Sequence, residues 1–134
     1  MQTELVYARE NLRQKLMKNA DAVIKKVLEA DLSDIVEIGI FGSVAKNSFT
    51  CNSDSDIYLL FEKHLPDRIT KGNLRSIAEE HNCDIVFIKS DELTGNYVSL
   101  LAESILENRI ILWRKDSNDK EWLLSYCNEW FRIS

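Results

Sequence analysis

Two apolar runs separated by a short polar stretch constrain this chain more than any other feature. Ile38-Gly39-Ile40-Phe41 runs into Gly42-Ser43, and Asp54-Ser55-Asp56 follows after ten residues, leading into Ile57-Tyr58-Leu59-Leu60-Phe61. A buried strand, a Gly-Ser turn and a second buried strand with carboxylates near its start satisfy this pattern. Side chains at i and i+2 of a strand share a face. Asp54 and Asp56 then stand side by side. Neighbouring carboxylates repel unless they share a proton or a divalent cation.

The rest of the chain supplies a scaffold. Leu5, Leu12, Leu16, Val23, Ile24, Val27 and Leu28 recur at helical spacing, predicting a long helix from Thr3 to Ala30. Strands are expected over Ile35 to Phe41, Asp54 to Phe61, Cys83 to Lys89 and Arg109 to Trp113. A short helical turn is expected around Val44 to Lys46. Leu65-Pro66-Asp67 marks a boundary, because proline restricts the residue before it. A helix over Thr70 to His81 would turn Leu74, Ile77 and Ala78 inward. Another, from about Leu93 or Asn96 to Glu107, would carry Val98, Leu101 and Ile105 on one face. Lys115 to Lys120 reads as a charged linker and Glu121 to Phe131 as a last, aromatic helix.

This order predicts an α+β (mixed α/β) fold: a mixed β-sheet with helices packed on one face, a long N-terminal helix and a C-terminal aromatic helix. One domain over 1–134 is expected, with a core of about 35–113, the N-terminal helix at 3–30 and a helical extension at 117–131. Trp113, Trp122, Tyr126, Trp130 and Phe131 either close over the core or face a partner or dimer mate.

Charge and cysteine usage exclude several functions. The formal net charge of -5 argues against a broad nucleic-acid grip, which needs clustered cations. Cys51, Cys83 and Cys127 form no paired spacing, which suits reduced thiols and a cytoplasmic location. Zinc finds no close Cys/His set beyond His81 and Cys83. No apolar run approaches a membrane span, and the first residues lack a signal-peptide pattern. An EF-hand counted from Asn52 would need glycine and glutamate where Ile57 and Lys63 stand. No Gly-Lys-Ser/Thr follows Gly42 at the offset of a Walker A loop.

Asp84 opens the third strand and alternates with Val86 and Ile88. If that strand neighbours the second, three carboxylates meet at one sheet end. Such a set suits magnesium. Two metals there could bridge a triphosphate and an attacking hydroxyl. Gly42 lets the backbone approach a phosphate, Ser43 and successive amides can donate to it, and Lys46 lies one helical turn further on.

This constellation resembles the minimal nucleotidyltransferases of the DNA polymerase beta-like superfamily. The resemblance spans roughly Ile35 to Trp113 and rests on Gly42-Ser43, the Asp54-x-Asp56 pair and Asp84. It implies that Gly42 and Ser43, with Lys46, bind the triphosphate. It implies that Asp54 and Asp56 hold metal, and that Asp84 is a further ligand or the general base. Magnesium, two ions of it, and ATP or another nucleoside triphosphate are the implied cofactor and substrate. AMP would pass to a hydroxyl acceptor. Stand-alone members often resemble the antitoxin of a toxin–antitoxin pair, so a toxin-like partner protein is an implied acceptor, with small molecules as the alternative. In a chain this short, the partner protein or a homodimer mate would form the acceptor side. The competing function is a weakly active or inactive scaffold that holds its partner through the terminal helices. A metal phosphohydrolase releasing phosphate is a third. Where family members often carry arginine, glycine and an apolar residue, this chain has Val44, Asn47 and Ser55.

Overall fold

The computed structural model describes residues 2–50, 52–94 and 99–115. Along the chain run α1 (Gln2–Glu29), β1 (Ile35–Phe41), α2 (Gly42–Ala45), β2 (Ser55–Phe61), α3 (Arg68–Glu80), β3 (Cys83–Lys89), α4 (Ser90–Thr94), α5 (Leu100–Asn108) and β4 (Ile110–Arg114). The strands form one sheet in the order β3-β2-β1-β4. β1 pairs antiparallel with β2 and with β4, whereas β2 and β3 are parallel. A mixed sheet follows from the connections: a loop joins β1 to β2, and α3 carries the chain back from β2 to a parallel neighbour.

α1 buries Leu16, Met17, Ala20, Val23, Ile24 and Val27, a stripe at helical spacing. These pack with Leu74 and Ala78 of α3 on Ile38, Ile40, Ile57, Leu59, Phe61 and Ile85. The two long helices thus share one face of the sheet, but α4 and α5 pack on the opposite face. Helices therefore cover both faces rather than the one expected, because Phe41, Tyr58, Leu60 and Ile88 leave that side apolar too. The short helices α4 and α5 complete a smaller cluster, in which Ala102 and Ile105 meet Phe41, Tyr58, Leu60 and Ile88, with Leu93 against them.

Details differ from the sequence expectation. α3 begins earlier than Thr70, because the Asp67 carboxylate caps it by accepting from the Thr70 amide at 2.7 Å. Gly72 sits inside this helix with open space beside it. The helix expected up to Glu107 is split: α4 ends at Thr94, and α5 restarts behind Ser99, whose hydroxyl accepts from the Ala102 amide at 3.1 Å. Its inward residues are therefore Ala102 and Ile105, while Leu101 is exposed. Val98 and the aromatic helix at 121–131, part of the extension at 117–131, lie outside the described residues. β4 is displaced by one residue, ending at Arg114.

Arg114 is held by a buried carboxylate. Glu37, its side chain 5% exposed, accepts from Arg114 Nε and a terminal guanidinium nitrogen at 3.1 and 2.9 Å, from Arg109 at 3.0 Å and from the Tyr58 hydroxyl at 2.7 Å. Burial, then the Glu37 bond and charge, holds the Tyr58 phenol far above its usual range. Gly39 makes room for that ring, since a Cβ there would come within 2.6 Å of Tyr58 Cε1. These bonds tie both ends of β4 to the centre of the sheet.

Candidate active site

Strand register determines where the carboxylates stand. Asp56 lies opposite Phe41 of β1 and beside Asp84 of β3. In β2, Ser55, Ile57, Leu59 and Phe61 face α1, so Asp56, Tyr58 and Leu60 face the other way. Asp84, Val86 and Ile88 match them on β3. Asp54 directly precedes β2 rather than lying in it, and it is exposed. Asp84 is exposed as well, whereas Asp56 is half-buried. Burial, then the charges of Asp84 and Asp54, pushes the Asp56 carboxyl up to about 6. The charges of two neighbouring carboxylates thus act on Asp56 at one sheet end.

The turn after β1 meets this cluster. Gly42 has a φ of 74°, and a Cβ on it would fall inside the contact radius of the Asp56 carboxylate. α2 starts there, and its end is closed by two backbone bonds: Asn47 N–H to Val44 at 3.2 Å and Ser48 N–H to Ser43 at 2.9 Å. This is the Schellman pattern, which needs a left-handed residue after the helix. Asn47 supplies it with a φ of 59°. Asparagine is among the residues that tolerate this conformation best after glycine, so Asn47 fits the position where the resemblance leads one to expect glycine. Val44 is 2% exposed and belongs to the core. Ser55 is fully buried, and its hydroxyl donates to the Leu16 carbonyl of α1 at 2.7 Å, away from the carboxylates. None of the three departures noted in the sequence intrudes on the cluster.

The cation expected from Lys46 is partly engaged. Its ammonium lies 3.6 Å from the Glu107 carboxylate at the end of α5, and both side chains are exposed. Such a pair is weak and breaks readily. His64 is exposed and His81 caps α3. Burial pushes the Cys83 thiol up to about 12, which removes it from nucleophilic chemistry. One contact lies outside anything the sequence pattern signals. Arg9 of α1 donates to the carbonyls of Asn47 and, at 3.2 Å, Phe49, and stacks over the Phe49 ring. An arginine on the polar side of a long helix carries no local cue to such a contact.

The donor set fits a hard cation by its chemistry: carboxylate oxygens only, one carboxyl raised by burial and then by its two acidic neighbours. Among the described residues, no three His, Cys, Asp or Glu side chains are already gathered into a metal cage. A cation would have to draw the three carboxylates together.

The family model for "Polymerase beta, Nucleotidyltransferase" matches residues 22–118. The chain belongs to this nucleotidyltransferase family. No curated protein sequence matches it. Solved structures with the same fold include a candidate nucleotidyltransferase from Sulfolobus solfataricus, 17% identical, with a TM-score of 0.55 over 80% of this chain and 87% of that one. A toxin–antitoxin structure with AMP-PNP is 20% identical, with a TM-score of 0.51 over 83% and 86%. A complex of tri-AMPylated Shewanella oneidensis HEPN toxin with MNT antitoxin is 18% identical, with a TM-score of 0.50 over 88% of each chain. The nucleotidyltransferase sheet of this chain therefore carries the family's fold, with the carboxylates and the Gly-Ser turn at one end of it.

Proposed function

We propose that this nucleotidyltransferase moves AMP from ATP to a hydroxyl of a partner protein, releasing pyrophosphate. The acceptor oxygen forms a bond to the α-phosphorus as the bond from that phosphorus to the bridging oxygen breaks. The acceptor proton passes to Asp84, and pyrophosphate leaves. Gly42 and Ser43 cradle the β- and γ-phosphates through backbone amides and the Ser43 hydroxyl. Lys46, released from Glu107, adds a cationic contact. Asp54, Asp56 and Asp84 are the residues that would hold magnesium, which supplies charge neutralisation on the phosphates and a more acidic acceptor hydroxyl.

The observation that carries this reading is the packing of Gly42 against Asp56. The contact sets Gly42 beside the Asp56 carboxylate, which supports one shared site for phosphate and metal rather than two. A protein acceptor is favoured by the likeness to structures described as toxin–antitoxin complexes, one of them with an AMPylated toxin.

The test is incubation with magnesium, α-labelled ATP and the product of the adjacent gene. Label on that protein, lost in Asp56→Ala, is the expected result. A tight complex without label transfer, unchanged by the substitution, would make the chain a scaffold. Release of phosphate instead of pyrophosphate would make it a phosphohydrolase.

A further inference from the structure

α2 is only four residues long. A single turn is not stable alone, because nucleation fixes several dihedrals for one hydrogen bond. Its geometry must be imposed at both ends. At the start, β1 delivers Gly42 against Asp56 through strand pairing. At the end, the Schellman bonds turn the chain at Asn47 and Ser48, which are both exposed. The backbone then needs an anchor where it leaves.

Arg9 and Phe49 form that anchor. The Phe49 ring is 1% exposed and set in the main core. The Arg9 guanidinium lies 4.3 Å above its centroid, within cation–π range. From there one terminal nitrogen donates to the Phe49 carbonyl at 3.2 Å and the other to the Asn47 carbonyl. One planar fork thus fixes two carbonyls, and its flat face rests on the aromatic ring. An ammonium offers neither the fork nor the flat face. Arg13 and Glu10, from the adjoining turn of α1, line the same depression and are 3.8 Å from each other.

We propose that Arg9 is a positioning residue for the Gly42–Ser43 turn, coupling α1 to the geometry with which the turn receives phosphate. The proposal rests on the reading of that turn as the phosphate site. It gives this part of α1 a purpose beyond covering the sheet, because Arg9 lies about two turns before Leu16, the first buried residue among those of α1 whose side chains are described.

Arg9→Ala and Arg9→Lys, compared with the unmodified chain, test it through two readouts. Hydrogen exchange at the Ser48 amide reports the Schellman bond, and titration with magnesium and AMP-PNP reports the phosphate site. In Arg9→Ala, Ser48 should exchange about tenfold faster while the β2 amides keep their protection. The Kd for AMP-PNP should rise about tenfold, and Arg9→Lys should recover little of it. Unchanged Ser48 exchange overturns the proposal, as does faster exchange with unchanged affinity. Equal loss of protection in β2 would show a general structural role instead, and also overturns it. If the unmodified chain binds no AMP-PNP, the phosphate-site reading fails and the functional half of the proposal falls with it. The exchange result would still decide whether Arg9 holds the turn.

Discussion

Gly42 and Asp56 share a space that only a glycine leaves open. The left-handed φ of Gly42 and the Asp56 carboxylate beside its α-carbon arise from the same strand pairing. Gly42→Ala therefore suffers twice. Left-handed strain costs about 1–2 kcal/mol, and the added methyl must displace the carboxylate. Denaturation should show a loss of about 2–4 kcal/mol. Steady-state transfer should fall by about 100-fold or more, since the turn and the carboxylates move together.

Asp56 should trade stability for function. Its carboxyl is raised from the ordinary 3.8 to about 6. A raised carboxyl is penalised in its ionised form, so the metal-free protein loses stability between these two values and carries the full penalty above the higher one. Asp56→Asn removes the penalty. Without metal, the variant should melt above the parent at about pH 8 and lose that advantage at about pH 4. Transfer should be abolished at either pH.

Metal binding should show the same group from the other side. Cation and proton compete for Asp56, so apparent magnesium affinity should weaken by up to about tenfold per unit as pH falls below about 6. Calorimetric titration at several pH values measures this. A flat profile across that range would remove Asp56 from the metal site.

Glu37 should be worth more than a surface ion pair. It is buried, but Arg109 and Arg114 are 26% and 50% exposed, which lowers the value of each contact. Glu37→Ala leaves Tyr58 without its acceptor and should cost about 2–3 kcal/mol. Tyr58→Phe alone should cost about 1 kcal/mol. A double-mutant cycle should find the two strongly coupled.

Much of this was legible in advance. β1 and β3 fall where their apolar runs predict, and the register of β2 with β3 brings Asp84 beside Asp56 as the alternation implied. The start of β2 was less legible, since Asp54 reads as strand by its neighbours but precedes the pairing. Helix ends were missed where a cap decides them, as at Asp67 and Ser99. Arg9 and Glu37 were invisible because their partners are 38 and 21 or more residues away. Nothing local marks a residue whose contacts depend on the completed fold.

Ser55 shows how context reverses a sequence impression. A polar residue between two carboxylates suggests a disturbed site, yet its hydroxyl bonds Leu16 on the opposite face. Ser55→Ala should cost about 1 kcal/mol in denaturation and leave transfer within about twofold of the parent.

The central claim is that Asp54, Asp56 and the Gly42–Ser43 turn form one metal–triphosphate site. Crystals grown with manganese and AMP-PNP test it most directly through the anomalous signal. The account predicts metal bonded to Asp54 and Asp56, with the β- and γ-phosphates on the amides of the turn. Metal absent from both carboxylates, with the nucleotide bound elsewhere, would contradict it.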